Sequence, residues 1–136
     1  MRIVFYEKPG CVNNARQKAL LRAAGHEVKT RCLLNWPWTG EELRAFFGTR
    51  AVAEWFNPTA PRIKSGEIVP KTMGEAAALG AMLADPLLIR RPLIEADGRR
   101  IQGFDAEMQR WLGVEEPEAL EICPKTVAGQ AVAGCD

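Results

Sequence analysis

The chain has 136 residues, 47% of them hydrophobic and 26% charged, with 18 lysines and arginines against 17 aspartates and glutamates for a net charge of +1. That length suits one domain with a core, or one small domain carrying an insertion, and the near-zero charge gives no basic footprint for nucleic acid. No stretch is as long as a membrane span and the start lacks the apolar segment of a signal peptide, so a cytoplasmic location is expected.

Ile3, Val4, Phe5 and Tyr6 form a β-favouring run that Pro9-Gly10 cannot continue, so the chain turns there. A helix is predicted next, with Val12, Ala15, Ala19 and Ala23 at helical spacing, Leu20 beside that stripe, and Gly25 as the C-cap glycine. Cys11 falls at the helix N-terminus, where unpaired N–H groups and the macrodipole favour a thiolate and are expected to lower its pKa. His26 to Leu34 reads as a second strand, which completes a βαβ unit with parallel strands and makes Cys32 a small buried residue.

Thr39 and Glu42 form a capping-box start for a helix from Gly40 to Phe47, with Leu43, Phe46 and Phe47 as its apolar face. Gly48 ends that helix, Ala51 to Phe56 suits a short turn, Asn57 to Pro61 is a break, and a further helix runs from Thr72 to Leu83. Residues 39–84 thus read as a helical insertion in an α/β chain. Trp36, Trp38, Trp55, Phe46, Phe47 and Phe56 are expected to form its core; exposed, they would mark a partner surface.

Pro92 to Ala96 reads as a strand, Asp97-Gly98 as a hairpin turn and Arg99 to Gln102 as the returning strand. A last helix is predicted after the N-cap Asp105, through Glu107, Met108, Trp111 and Leu112, with Gly113 as its stop. Residues 114–136 form a tail expected to be partly disordered. The cysteines Cys11, Cys32, Cys123 and Cys135 are widely spaced and accompany one histidine, which argues against a zinc site and for thiols in a reducing compartment.

The turn Lys8-Pro9-Gly10-Cys11, the helix carrying Arg16, the insertion, the run Asp85 to Ile94 with its Arg91-Pro92 step, and the Gly98-to-Ile101 hairpin occur in a telling order. That order resembles the arsenate reductase (ArsC)/Spx-like family of the thioredoxin fold over residues 1–113. Tyr6 to Lys18 and Phe46 to Asn57 are most similar to its nitrogenase-associated branch, encoded among nitrogen-fixation genes. The resemblance implies an α/β, thioredoxin-like fold with a mixed four-stranded sheet and an inserted small helical subdomain. It also implies a cis peptide at Arg91-Pro92 beside the cysteine.

In the arsenate reductases the cysteine attacks arsenate, arginines hold the oxyanion, and glutathione with glutaredoxin releases arsenite. Carried over, Cys11 is the nucleophile, Arg91 and Pro92 belong to the oxyanion- or thiolate-binding set, and glutathione is a co-substrate rather than a bound cofactor. Asn13 and Asn14 add amides that suit a bound oxyanion, and no metal is implied. Asn57 stands where the reductases carry an insert arginine, with Arg62 nearby, and Gly103-Phe104 stands where their hairpin arginine falls, with Arg99 and Arg100 out of register. Asn14 occupies the place of the second cysteine of Spx-like proteins, so no local disulfide forms at Cys11.

Three functions follow. One is a monothiol redox or thiol-transfer protein acting through Cys11, connected with nitrogen fixation and partnered by glutaredoxin, glutathione or a nitrogen-fixation protein. Another is a non-enzymatic Spx-like adaptor or regulator that binds a protein partner. The last is a glutathione- and glutaredoxin-dependent arsenate reductase. None requires direct contact with nucleic acid or membrane. Arg16 is expected to be solvated or paired to Glu7, and His26 to cap or lie on the surface.

Overall fold

The computed structural model describes residues 1–114. The expectations for Cys123, Cys135 and the tail from residue 115 lie outside the described residues. In chain order the elements are β1 (Arg2–Glu7), α1 (Val12–Ala23), β2 (Glu27–Cys32), α2 (Gly40–Arg44), α3 (Pro61–Lys64), α4 (Glu75–Ala84), β3 (Leu93–Ala96), β4 (Arg99–Gln102) and α5 (Ala106–Leu112). Single turns of 3₁₀ helix lie at Val52–Trp55, Pro70–Thr72 and Pro86–Leu88. The four strands form one mixed sheet in the order β2-β1-β3-β4, with β1 parallel to β2 and both other pairings antiparallel.

Side-chain alternation along β1 divides the core into two layers. Ile3 and Phe5, beside Ile94 and Ala96 of β3, pack on one face against Leu21 of α1 and Met108 and Leu112 of α5. Val4, Tyr6 and Leu93 face the other way, toward Leu43, Phe47, Trp55 and Met82 of the insertion. Covering both faces buries Phe5 and Leu93 completely, and each such side chain contributes about 1.5–3 kcal/mol relative to exposure.

Local chemistry sets the ends of these elements. Asp97 and Gly98 both take positive φ, at 50° and 75°, as a two-residue type I′ hairpin requires. After α1, Gly25 at φ 93° lets the His26 N–H reach the Leu21 carbonyl at 3.1 Å and the Gly25 N–H reach Arg22 at 3.0 Å, a Schellman ending. Thr39 caps α2 by accepting from the Glu42 N–H at 3.1 Å. The capping box is only half made, because the Glu42 carboxylate accepts from Trp36 Nε1 at 2.8 Å instead of turning back to the cap.

The insertion is helical but more broken than expected. The first helix stops at Arg44, not Phe47, and the later one begins at Glu75, because Pro70–Thr72 makes a separate turn before Gly74. The aromatic residues are interior. Trp55, Phe46, Phe47 and Phe56 are buried, Trp36 packs edge-on against Tyr6, and Trp38 packs tilted against it with its Nε1 donating to the Leu33 carbonyl at 3.0 Å.

The buried face of α1 is not the predicted one. Ala15, Ala19 and Ala23 are exposed, whereas Asn13, Asn14, Gln17 and Leu21 are buried. Alanine has little apolar surface to hide, so the helix turns its polar Asn14–Gln17 pair inward and joins the two side chains by a hydrogen bond.

Candidate functional site around Cys11

Cys11 is presented by a tight turn. Its N–H donates to the Lys8 carbonyl at 3.1 Å across Pro9 and Gly10, and Gly10 has φ 83°, the arrangement of a type II turn. The residue then serves as N-cap of the 12-residue helix α1 through its backbone, and its side chain makes no capping bond. Cys11 therefore sits at the positive end of the helix. Cys11 carries a thiol and is only 4% exposed.

Two polar residues hold this turn. The Lys8 N–H donates to Asn14 Oδ1 at 3.2 Å, and Asn14 Nδ2 donates to Gln17 Oε1 at 3.0 Å. Both side chains are buried, and Gln17 Nε2 has no hydrogen-bond partner among the described residues. Asn14, expected as an oxyanion donor, thus fastens helix to turn, while Asn13 is buried in the same first turn. Glu7 pairs with Lys18, not with Arg16, which is exposed.

The register of β1 on β3 brings the second half of the site to the same end of the sheet. Tyr6 lies opposite Leu93, so the residues leaving β1 toward Cys11 and those entering β3 from Arg91-Pro92 share one end. The Arg91-Pro92 peptide is cis, and the Pro92 carbonyl accepts from the Gly103 N–H at 2.9 Å. Arg91 is 5% exposed, its Nε has no hydrogen-bond partner, and it has no ion pair among the described residues. A buried cation without a counter-charge is costly unless an anion completes it.

The other arginines are placed elsewhere. Arg62 is committed to Glu67 at 2.6 Å and Asp85 at 3.3 Å. Asn57 is buried and folds back on Thr59, accepting from its N–H at 3.1 Å and its hydroxyl at 2.8 Å. Arg99 lies opposite Ala96, which lies opposite Ile3, so it stands about 10 Å down the sheet from the level of Tyr6 by strand rise alone. Arg90 carries its guanidinium below the usual range, first through burial and then through the nearby Arg50 cation.

Sequence reading overlooked Gln102. It is 1% exposed and its Nε2 donates to the carbonyls of Arg90 at 2.9 Å and Trp55 at 3.0 Å, tying the strand that leaves the hairpin to the segment before Pro92. The available signal was a polar residue at a strand position that alternation assigns to the core. Cys32 also differs from expectation. It is half-buried at the end of β2, opposite Glu7. His26 takes the expected capping role, with Nε2 at 2.6 Å from the Leu112 carbonyl at the end of α5.

The ArsC family model matches residues 7–111, well over half of the chain. This chain belongs to the ArsC family. It is 48% identical over 125 residues to a 15.7 kDa protein of the draG 3′ region in Rhodospirillum rubrum, covering 90% of this chain and 87% of that one. Among solved structures, an ArsC-family-related protein of Bacteroides fragilis superposes with a TM-score of 0.70 at 25% identity, over 82% of this chain and 99% of the other. An arsenate reductase of Vibrio cholerae gives a TM-score of 0.68 at 23% identity, over 84% and 98%, a likeness of fold. The ArsC-family fold thus accounts for the mixed sheet with a helix-delivered cysteine at one end. Among the described residues of this ArsC protein, no helix is long and apolar enough to cross a membrane.

Proposed function

We propose that this ArsC-family protein acts through Cys11 as a monothiol in thiol–disulfide exchange. The observation that carries the reading is Arg91, a buried guanidinium without an ion pair among the described residues, at the end of the sheet to which Cys11 is delivered. The Cys11 thiolate attacks one sulfur of a disulfide, the S–S bond breaks, and the departing thiolate takes a proton from water. The product is a mixed disulfide on Cys11. A second thiol, from glutathione with glutaredoxin, attacks that mixed disulfide and returns Cys11 to the thiolate. Arg91 supplies the positive charge that the thiolate form and an incoming carboxylate both need.

Arsenate reduction fits less well. A tetrahedral oxyanion calls for several forked cations, and Arg62 and Arg99 are engaged elsewhere. The setting we infer is cytoplasmic and linked to nitrogen fixation, supported by the relative in the draG 3′ region. The partner class is a disulfide-bearing protein of that system. The test is turnover of a mixed disulfide with glutathione and glutaredoxin, run beside a parallel arm supplied with arsenate. Thiol turnover lost in Cys11→Ser, without arsenite formation, is the expected result. Arsenite production, or turnover intact in Cys11→Ser, would overturn the reading.

A further inference from the structure

We propose that the outer edge of β4, which pairs with no further strand among the described residues, takes up an extended, acidic peptide segment of a partner protein as an added strand. β4 is the last strand of the sheet. In the hairpin, the Gly103 N–H bonds the Pro92 carbonyl, which makes residues 92 and 103 a hydrogen-bonded pair, and 94/101 and 96/99 follow by alternation. The N–H and C=O groups of Arg100 and Gln102 therefore point away from β3, off the edge of the sheet. The Gln102 carbonyl confirms the direction, since it accepts from Arg50 Nη2 at 2.9 Å.

The edge lies at a cleft of ≈ 400 Å³ lined also by Gly48, Thr49 and Arg50 of the insertion and by Met108 and Trp111 of α5. A strand edge beside a helix is the geometry in which an extended peptide gains main-chain bonds from the strand and side-chain contacts from the helix. Cys11 does not line this cleft, so the surface is separate from the thiol site.

Charge selects the occupant. Arg100 is exposed and has no ion pair among the described residues, and Arg99 is held with its guanidinium 4.4 Å from the Trp111 ring rather than by a carboxylate. Asp105 is engaged with Arg50 at 3.4 Å, which leaves Glu107 as the other acidic residue in the lining. A second copy of this chain pairing edge to edge would set arginine against arginine, an unfavourable cross-strand arrangement. A segment with carboxylates at alternate positions along one face meets Arg100 instead, whose side chain leaves the sheet on the opposite face from Arg99.

The experiment uses the full chain and a fluorescein-labelled Val-Glu-Val-Glu-Val-Glu peptide, read by anisotropy and by amide hydrogen exchange. Binding should slow exchange at the amides of Arg100 and Gln102. A peptide N-methylated at alternate residues, the Val-Lys counterpart, and the Arg100→Glu variant should each bind about tenfold more weakly or worse. Thiol exchange at Cys11 should be unchanged in Arg100→Glu. No binding, equal binding of the N-methylated peptide, or binding without protection of those two amides would overturn the proposal. Protection that grows with protein concentration in the absence of peptide would assign the edge to a second copy and overturn it as well.

Discussion

The Lys8 N–H and Asn14 Oδ1 meet at 3.2 Å, and this bond fastens the first turn of α1 to the turn that presents Cys11. Through Asn14 Nδ2 the same side chain reaches Gln17, so one buried residue connects loop, helix and core. Asn14→Ala removes both the acceptor of the Lys8 N–H and the donor to Gln17 Oε1. Chemical denaturation should show a loss of about 1–3 kcal/mol. The rate at which a small aromatic disulfide reagent modifies Cys11 should change with it. A variant as stable as the parent would show that the turn is held by its backbone alone.

Arg91 is expected to serve function at the expense of stability. Replacing a buried guanidinium that has no ion pair among the described residues by an apolar side chain of similar length removes the desolvation cost and keeps the packing. Arg91→Met should therefore unfold at a higher temperature, with a gain of about 1 kcal/mol or more, measured by calorimetry at neutral pH. Destabilisation would mean that the guanidinium is satisfied in the resting protein.

The features legible in the sequence are those fixed by neighbours along the chain. Pro9-Gly10, Asp97-Gly98, the Thr39 and Asp105 caps and the glycine after each of α1 and α5 all do what their local chemistry requires. The face of α1 was not legible, because regular alanines imitate an apolar stripe while costing little to expose, and the choice fell to tertiary packing of Leu21. The insertion was recognisable as helical, but Pro58, Pro61, Gly66 and Pro70 cut it into shorter pieces than its periodicity suggests. At the site, the place of Cys11 before α1 was legible from local order, and the cis Arg91-Pro92 step was implied by the family resemblance. The Lys18–Glu7 pair, the Arg62 ion pairs and the role of Gln102 depend on residues far apart in sequence or on side-chain choice, which no local pattern encodes.

Tyr6 gives a pH signature. Burial, the largest influence, raises its hydroxyl above the ordinary value near 10, against the opposing pull of Arg31. The folded state holds the proton more tightly than the unfolded chain. The contribution to stability is thus complete below pH 10 and is lost as pH climbs through the folded value. Tyr6 is the only tyrosine, so absorbance at the phenolate band follows it alone. Its titration should be displaced upward from that of the unfolded chain, and Tyr6→Phe should flatten the alkaline fall in stability.

Asp105 holds the start of α5, where its Oδ1 accepts from the Met108 N–H at 2.9 Å and its other oxygen faces Arg50 at 3.4 Å. Asp105→Ala should cost about 1 kcal/mol, mostly from the lost cap, while Asp105→Asn should retain much of it. Urea unfolding of the two variants side by side separates the cap from the ion pair.

The central claim is that Cys11 is a reactive monothiol supported by Arg91. Its most direct measurement is the rate at which glutathione disulfide forms an adduct on the full chain, located by peptide mass spectrometry, in the parent and in Arg91→Met. The account predicts an adduct on Cys11 that forms about tenfold or more faster in the parent. Equal rates in the two proteins, or no adduct at Cys11, would contradict it.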